Sequence, residues 1–130
     1  MDFKLREGME ATVEKIVTEN DTAAKFGSGN IRVYATPMMI GLMENSALTA
    51  VDKELGEEYA TVGIHVDIKH LAATPVGMKV TATAKLNKVE GKKLFFDVVA
   101  YDEEKKIGEG THSRYIINVK DFLNKIEKNS

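Results

Sequence analysis

Residues 36 to about 53 limit the possible folds of this chain most strongly, because they predict a helix without a polar face. Thr36-Pro37 is a strong helix start, since a hydroxyl can cap the first turn and proline already has the required backbone angle. The apolar residues that follow lie all round the cylinder: Met38, Met39, Ile40, Leu42, Met43, Ala47, Leu48, Ala50 and Val51. Such a helix is buried on most sides. The rest of the chain must therefore wrap around it.

Alternating apolar and polar residues predict long strands after this helix. In residues 59–70 one face carries Val62, Ile64, Val66 and Ile68, and the other carries Gly63, His65, Asp67 and Lys69. Residues 71–78 form a bend, and residues 79–89 alternate again with Val80, Ala82, Ala84 and Leu86 inside. Glu90-Gly91 indicates a tight hairpin. Strands over residues 94–101 and 107–119 complete this part of the sheet.

The two ends of the chain carry weaker signals. Residues 9–17 alternate imperfectly, as expected of an edge strand, and residues 31–35 predict a short strand. Between them, residues 18–30 are polar and contain Gly27-Ser28-Gly29, which indicates a flexible loop. Residues 120–128 predict an amphipathic helix with Phe122, Leu123 and Ile126 as its apolar contacts.

These elements together predict an α+β fold in which a curved antiparallel sheet wraps around one long central helix. Neither an internal repeat nor a linker interrupts the sequence, so we expect residues 1–130 to form a single domain. A one-layer sheet leaves strand edges to cover, and pairing two copies edge to edge covers them. We therefore expect a homodimer, with a further pairing of dimers left open.

Composition narrows the class of function. The formal net charge is −2, whereas a protein that follows nucleic-acid phosphates is normally basic. The chain has no cysteine, and the charged residues Lys4, Arg6 and Glu7 prevent an apolar signal core. No stretch approaches the ~18 apolar residues of a membrane helix. We expect a cytoplasmic protein without nucleic-acid or membrane partners and without a cofactor.

Three polar residues depart from the apolar pattern and are candidates for chemistry. Glu44 lies in the middle of the apolar helix, where an unpaired carboxylate would cost several kcal/mol. His70 shares the parity of the apolar face of residues 59–70 and ends that strand. Thr36 lies at the helix start, where free N–H groups favour a developing negative oxygen. A carboxylate, an imidazole and a hydroxyl suit the hydrolysis of an ester or thioester.

Structural interpretations of the same three residues remain open. Thr36 can be an ordinary N-cap, Glu44 a hydrogen-bonded structural carboxylate, and His70 a satisfied core histidine. Thr36 and Glu44 are also eight positions apart, which is ~12 Å along a helix. We therefore expect either a composite site drawn from both subunits of a dimer or a distorted first helical turn. The three histidines, two of them in the strand 59–70 and one in the strand 107–119, lack zinc-ligand spacing, so we expect no metal.

Three segments resemble the fluoroacetyl-CoA thioesterase-like branch of the hot-dog superfamily. They are residues 33–44 (VYATPMMIGLME), 63–77 (beginning GIHV and ending HLAATPVG) and 107–114 (IGEGTHSR). The resemblance implies a hot-dog fold and acyl-CoA hydrolysis with Thr36, Glu44 and His70 as the catalytic set. It also implies that Gly63 and Arg114 contact the acyl end of the substrate. From the residues alone, a surface or salt-bridged arginine is the alternative for Arg114.

The chain departs from the fluoroacetate-specific pattern in one segment. Members specific for fluoroacetate carry an aromatic-rich lid before the central helix, whereas residues 23–30 here contain one aromatic residue and two glycines. We therefore expect another short or medium acyl-CoA as substrate. Two alternatives stay open: a dehydratase or hydratase acting on acyl thioesters, and a non-catalytic acyl-CoA-binding domain.

Overall fold

The computed structural model describes residues 3–128. The strands are β1 (Glu10–Ile16), β2 (Tyr59–His70), β3 (Lys79–Glu90), β4 (Lys93–Tyr101) and β5 (Lys106–Asn118). The helices are α1 (Ala23–Phe26), α2 (Thr36–Val51) and α3 (Val119–Lys128), with short 3-10 helices at Glu19–Asp21 and Asp52–Glu54. The first two and last two residues of the expected domain, 1–2 and 129–130, lie outside the described residues.

The five strands form one curled antiparallel sheet in the order β1-β3-β4-β5-β2, and α2 lies across its inner face. The predicted α+β hot-dog architecture is therefore confirmed. The two-residue turn between β3 and β4 contains Gly91 at φ 63°, a backbone conformation that favours glycine. β1 and β2 are the two edge strands, so one long side of β2 has no strand of residues 3–128 beside it.

The core lies between α2 and the inner face of the sheet. On α2 the fully buried residues follow one stripe, namely Met39, Met43, Ser46, Ala47, Ala50 and Val51. Most of the other apolar helix residues are half-buried, and Gly41, Asn45 and Thr49 form a narrow exposed strip. The predicted inner residues of β3, which are Val80, Ala82, Ala84 and Leu86, are all fully buried. Alternation therefore located the core correctly in this strand.

The segment before α2 differs from the prediction. Residues 18–30 contain a 3-10 turn and α1 rather than only a flexible loop, because Thr22 caps α1 by accepting a hydrogen bond from Lys25 N. Residues 31–35 do not form a strand. Val33 and Tyr34 instead make isolated bridges to Pro75 and Thr22. These irregular contacts fix the start of α2 without extending the sheet.

The predicted faces of β2 are wrong in the first half of the strand. The pairing with β5 shifts between Gly63 and His65, so Ile64 is an extra, bulged residue. A bulge reverses the parity of every residue beyond it. Gly63 consequently pairs with Arg114 on the inner face, while Ile64 is 48% exposed. His70, which lies after the bulge and pairs with Gly108, has the expected inward orientation.

The last helix also differs from expectation. α3 packs against β5, but Leu123 and Ile126 remain about half exposed, so only Phe122 of the three predicted contacts is partly covered. The helix contacts the rest of the fold chiefly through β5, so little of its apolar surface is covered. Of the helices within residues 3–128, none has the length and apolar character that crossing a membrane requires.

Candidate active site

Thr36 and His70 meet at the start of α2. The Thr36 Oγ1 atom lies 2.7 Å from Nδ1 of His70, although the two residues are 34 positions apart. Ala35, not Thr36, is the N-cap residue of α2, and Thr36 and Pro37 form its first turn. The expectation that Thr36 caps the helix is therefore wrong. Its hydroxyl is free to bond the imidazole because Ala35 already makes the turn into the helix.

Backbone contacts hold this pair in place from both sides. Ala35 N donates to the carbonyl of Asp21 at 2.8 Å, and Tyr34 N donates to the carbonyl of Thr74 at 2.9 Å. Thr74 in turn donates its hydroxyl to the buried carboxylate of Asp102 at 2.9 Å. The chain before Thr36 is thereby tied to the bend that follows His70.

One of the two ring nitrogens of His70 makes no hydrogen bond within the described part of the chain. Its Nε2 atom is buried and has no hydrogen-bond partner among residues 3–128. Burial lowers the pKa of His70 below its ordinary value, so the ring is neutral at pH 7. A neutral imidazole whose Nδ1 lies against a hydroxyl can accept that hydroxyl's proton.

A cleft of about 320 Å³ opens beside the Thr36–His70 pair. Its walls come from the segment before α2 and from the bend after β2: Ala23, Ser28, Val33, Tyr34, Leu71, Ala72 and Ala73. The lining is almost entirely made of small or apolar residues. Such a cleft suits a short apolar group with one reactive polar centre.

Glu44 belongs to a second group of residues farther along the sheet. A Cβ atom placed on Gly63 would lie 2.9 Å from Oε2 of Glu44, 3.2 Å from Cε1 of His112 and 3.4 Å from Nη1 of Arg114. No hydrogen bond or ion pair joins Glu44 to another of residues 3–128. The structure therefore brings Glu44, Gly63 and Arg114 together, and it separates them from Thr36 and His70.

Arg114 is 5% exposed, so the interpretation of this residue as a surface arginine is wrong. Its Nε donates to Thr61 Oγ1 at 2.7 Å, and its Nη2 donates to the Thr61 carbonyl at 2.8 Å. Burial lowers the pKa of the guanidinium, and the nearby carboxylates of Asp52 and Glu44 oppose this effect. The group stays charged at pH 7 because the ordinary pKa of an arginine lies far above neutrality.

His112 contributes to this second group although the sequence did not single it out. Its Nδ1 lies 2.8 Å from the carbonyl of His65, which can only accept, so Nδ1 carries the proton. Nε2 then accepts from Nη1 of Arg114 at 3.2 Å. Burial lowers the pKa of His112 and favours this neutral form. The parity of β5, in which His112 and Arg114 share a face, was the available signal.

The two groups lie far apart within one chain. Gly63 and His70 are seven residues apart on β2, which corresponds to roughly 20 Å along a strand. Thr36 and Glu44 are correspondingly separated on α2, which is regular from its first residue. A distorted first turn, one of the two expectations from the sequence, is thus not present.

Comparisons with known proteins give the family. Residues 17–120 match the family model described as fluoroacetyl-CoA-specific thioesterase. The fluoroacetyl-CoA thioesterase of Streptantibioticus cattleyicolor is 37% identical over 117 residues, covering 90% of this chain and 81% of that protein. The chain belongs to this family. Its chemical class is accordingly that of a thioester hydrolase.

Solved structures agree with this assignment. A crystal structure of a fluoroacetyl-CoA-specific thioesterase variant superposes with a TM-score of 0.91 and 32% identity, covering 99% of this chain and all of that one. A variant of the same enzyme has been solved with fluoroacetate and CoA, at 34% identity, a TM-score of 0.86 and 91% and 99% coverage. A thioesterase superfamily member from Thermus thermophilus matches at 30% identity and a TM-score of 0.85, covering 95% and 94%.

The family assignment agrees with the donors that the site offers. Within the described residues, no three His, Asp or Glu side chains are grouped in a way that could hold a metal ion. The polar groups at the site are instead a hydroxyl, an imidazole, a carboxylate and a guanidinium. These groups can move protons and stabilise charge, which is what thioester hydrolysis requires.

Proposed function

We propose that this protein hydrolyses a short or medium acyl-CoA to the free acid and CoA. Thr36, Glu44 and His70 form its catalytic set, and Gly63 and Arg114 receive the acyl end. The observation that carries the proposal is the 2.7 Å contact between the Thr36 hydroxyl and the neutral His70 imidazole at a helix start. The half-buried Glu44 carboxylate and the buried Arg114 guanidinium, which both lie beside Gly63, add the charge-stabilising groups.

The Thr36–His70 pair supports nucleophilic attack on the thioester carbonyl. His70 Nδ1 takes the Thr36 proton as Oγ1 bonds to the carbonyl carbon. Collapse of the tetrahedral adduct breaks the carbon–sulfur bond, and the departing CoA sulfur takes that proton. Water, deprotonated by the same imidazole, then attacks the carbonyl carbon of the Thr36 ester. The carbon–Oγ1 bond breaks to release the acid, and the imidazole returns the proton to Thr36 Oγ1. The Thr36 N–H, which has no backbone acceptor among residues 3–128, is a donor for the oxyanion.

This proton path indicates where Glu44 lies in the proposed site, namely beside the His70 imidazole. When Nδ1 accepts from Thr36, Nε2 carries a proton, and that N–H is buried without an acceptor among the described residues of one chain. A carboxylate placed against Nε2 would fix the tautomer and stabilise the imidazolium that forms during attack. Glu44 of the same chain is too far away, so a second copy supplies it.

Edge pairing of β2 between two copies achieves this arrangement. Val66 and Asp67 lie midway between Gly63 and His70 on β2. Antiparallel pairing about a two-fold axis at that point brings His70 of one copy close to Gly63, and hence Glu44, of the other. Val66 is 43% exposed on this strand, and pairing would cover it. A homodimer of 1–130 domains then contains two composite sites.

The cleft and its border define the substrate class. Its volume of about 320 Å³ and its small lining residues suit a short acyl group. Phe26, the one aromatic residue of the segment 23–30, is 55% exposed and is not among the residues that line the cleft. This border differs from an aromatic-rich lid, which supports a short or medium acyl-CoA other than fluoroacetyl-CoA. A cytoplasmic location fits a chain without cysteine.

Thiol release from a panel of acyl-CoAs tests the proposal. The wild type should release CoA thiol, and Glu44→Gln and His70→Ala should each lower kcat/KM by ~10²-fold or more. Glu54→Gln, which makes the same chemical change on an exposed carboxylate after α2, should leave the rate unchanged. A dehydratase or hydratase would convert the acyl group without releasing thiol. Binding without turnover by the wild type would leave only an acyl-CoA-binding domain.

The covalent step has its own test. Intact-mass measurement on protein quenched during turnover should show one acyl group on Thr36 in the wild type. Thr36→Ser should retain the adduct, and Thr36→Ala should lose both the adduct and at least ~10²-fold in rate. Turnover by Thr36→Ala at the wild-type rate would contradict a nucleophilic Thr36.

A further inference from the structure

Asp52 lies where a carboxylate is electrostatically unfavourable. It is the C-cap residue of α2, and it follows a last turn that contains no basic residue. The carbonyl groups at a helix C-terminus carry partial negative charge, so a carboxylate there costs a few tenths of a kcal/mol or more. The side chain is only half exposed, which increases the cost. A compensating interaction must therefore hold it.

The compensating partner is Thr61 on β2. Asp52 Oδ1 accepts the Thr61 hydroxyl at 2.6 Å, and Oδ2 accepts the Thr61 N–H at 3.2 Å. Both carboxylate oxygens thus bind one residue, which is itself 6% exposed. This two-point contact fixes the rotamer of the threonine.

The contact also fixes the direction of the Thr61 hydroxyl. A hydroxyl has one proton, and here that proton goes to Asp52. The oxygen lone pairs consequently face Arg114, whose Nε donates to them at 2.7 Å. The Thr61 carbonyl accepts Nη2 of the same guanidinium at 2.8 Å. Two bonds to one residue hold the plane of the guanidinium.

The orientation of that plane determines what Arg114 presents to the acyl end. Nη1 lies 3.2 Å from His112 Nε2, and it borders the narrow space on the inner side of Gly63, 3.4 Å from where a Cβ atom would lie. Oε2 of Glu44 borders the same space. A rotation of the guanidinium would withdraw Nη1 from that space and bring it against other side chains.

We propose that Asp52 and Thr61 are positioning residues, which set the guanidinium of Arg114 through an ordered chain of hydrogen bonds. The chain runs from the Asp52 carboxylate through the Thr61 hydroxyl to Arg114 Nε. Neither residue touches the substrate. The inference rests on the proposed function, because it assumes that Arg114 serves the acyl end of the site.

Thr61→Val tests this relay, since it keeps the shape of the side chain and removes the hydroxyl. We expect kcat/KM to fall ~10-fold or more because a misplaced site residue loses that much. Thr61→Ser restores the hydroxyl and should remain within ~3-fold of the wild type. The ranking of acyl-CoAs by Thr61→Val should also shift toward the ranking by Arg114→Met.

A double variant separates positioning from general structural damage. If Thr61 acts through Arg114, adding Thr61→Val to Arg114→Met should change kcat/KM by less than ~2-fold. Independent losses that multiply would overturn the inference. If Thr61→Val fails to fold, Asp52→Asn provides the same comparison, because the amide cannot accept both Thr61 donors.

The single variants test separately the proposed role of Arg114 and the relay through Asp52 and Thr61. Full activity in Arg114→Met would refute the proposed role of Arg114 and the relay with it. A large loss in Arg114→Met together with wild-type kinetics in Thr61→Val would refute only the relay. Melting temperatures of all variants, measured in parallel, exclude unfolding as the cause of a loss.

Discussion

The substitution Gly63→Ala, which adds one methyl group, tests the position that the Glu44 carboxylate requires for activity. The Cβ of Gly63→Ala would lie 2.9 Å from Oε2 of Glu44, whereas ordinary contacts between such atoms begin near 3.4 Å. The carboxylate must therefore move by about 0.5 Å or more. Glu44 has a flexible side chain without a bond to other described residues, so this movement costs little stability. A glycine replaced within a strand even gains about 0.5 kcal/mol.

The expected result is a separation of activity from stability. Displacement of a catalytic group by 0.5–1 Å lowers rates by ~10- to 100-fold. We therefore predict that Gly63→Ala loses about that factor in kcat/KM for thiol release. Its free energy of unfolding, measured by urea denaturation, should stay within ~1 kcal/mol of the wild type.

Gly108→Ala is the matched control on the neighbouring strand. Its Cβ would lie 2.6 Å from Sδ and Cε of Met39 in the core, and it does not approach Glu44. Overpacking there should destabilise the protein by about 1–3 kcal/mol. Wild-type kinetics in Gly63→Ala, or a loss of stability equal to that of Gly108→Ala, would refute the assigned position of Glu44.

Three further predictions concern protonation, stability and assembly. A carboxylate against Nε2 raises the pKa of His70, so NMR titration should show a lower His70 pKa in Glu44→Gln than in the wild type. An equal pKa in the two proteins would mean that Glu44 does not lie against the imidazole. Burial raises the pKa of Asp102, but hydrogen bonds outweigh it and hold this pKa at about 2. The wild type should therefore lose stability as the pH falls from 4 to 2, and Asp102→Asn should lack this loss and be about 2 kcal/mol less stable than the wild type above pH 4. Stability profiles of the two proteins that run parallel over this pH range would contradict the prediction. Val66→Glu places two like charges near the two-fold axis of the proposed β2 pairing. Light scattering should therefore show monomers, and their rate of thiol release should be less than ~10% of the wild-type rate. An active dimer of this variant would refute edge pairing.

The sequence predicted the fold because two periodic signals were strong. The long, mostly apolar helix from Thr36 required a sheet around it, and the clean alternation of β3 identified the inner face of that sheet. The irregular segment before α2 was less predictable. Its short helix α1 depends on a cap at Thr22, and its bridge to Pro75 is a tertiary contact without local periodicity.

The sequence offered candidate residues for a site but did not indicate their arrangement. Thr36, Glu44 and His70 each broke an apolar pattern, and the resemblance to thioesterases named the same residues. The bulge at Ile64, which brings Gly63 to the inner face, leaves no signature in a simple alternation. His112 and Thr61 escaped notice because a histidine or threonine in a strand is ordinary until its buried partners are known.

Subunit complementation tests the composite site most directly. Glu44→Ala and His70→Ala are each expected to be inactive as homodimers. A mixed dimer of the two retains one intact site, formed by His70 of the first chain and Glu44 of the second. An equilibrated equal mixture should therefore regain about one quarter of the wild-type rate of thiol release. A mixture that stays as inactive as its components, with mixed dimers demonstrated by mass spectrometry, would contradict a site shared between subunits.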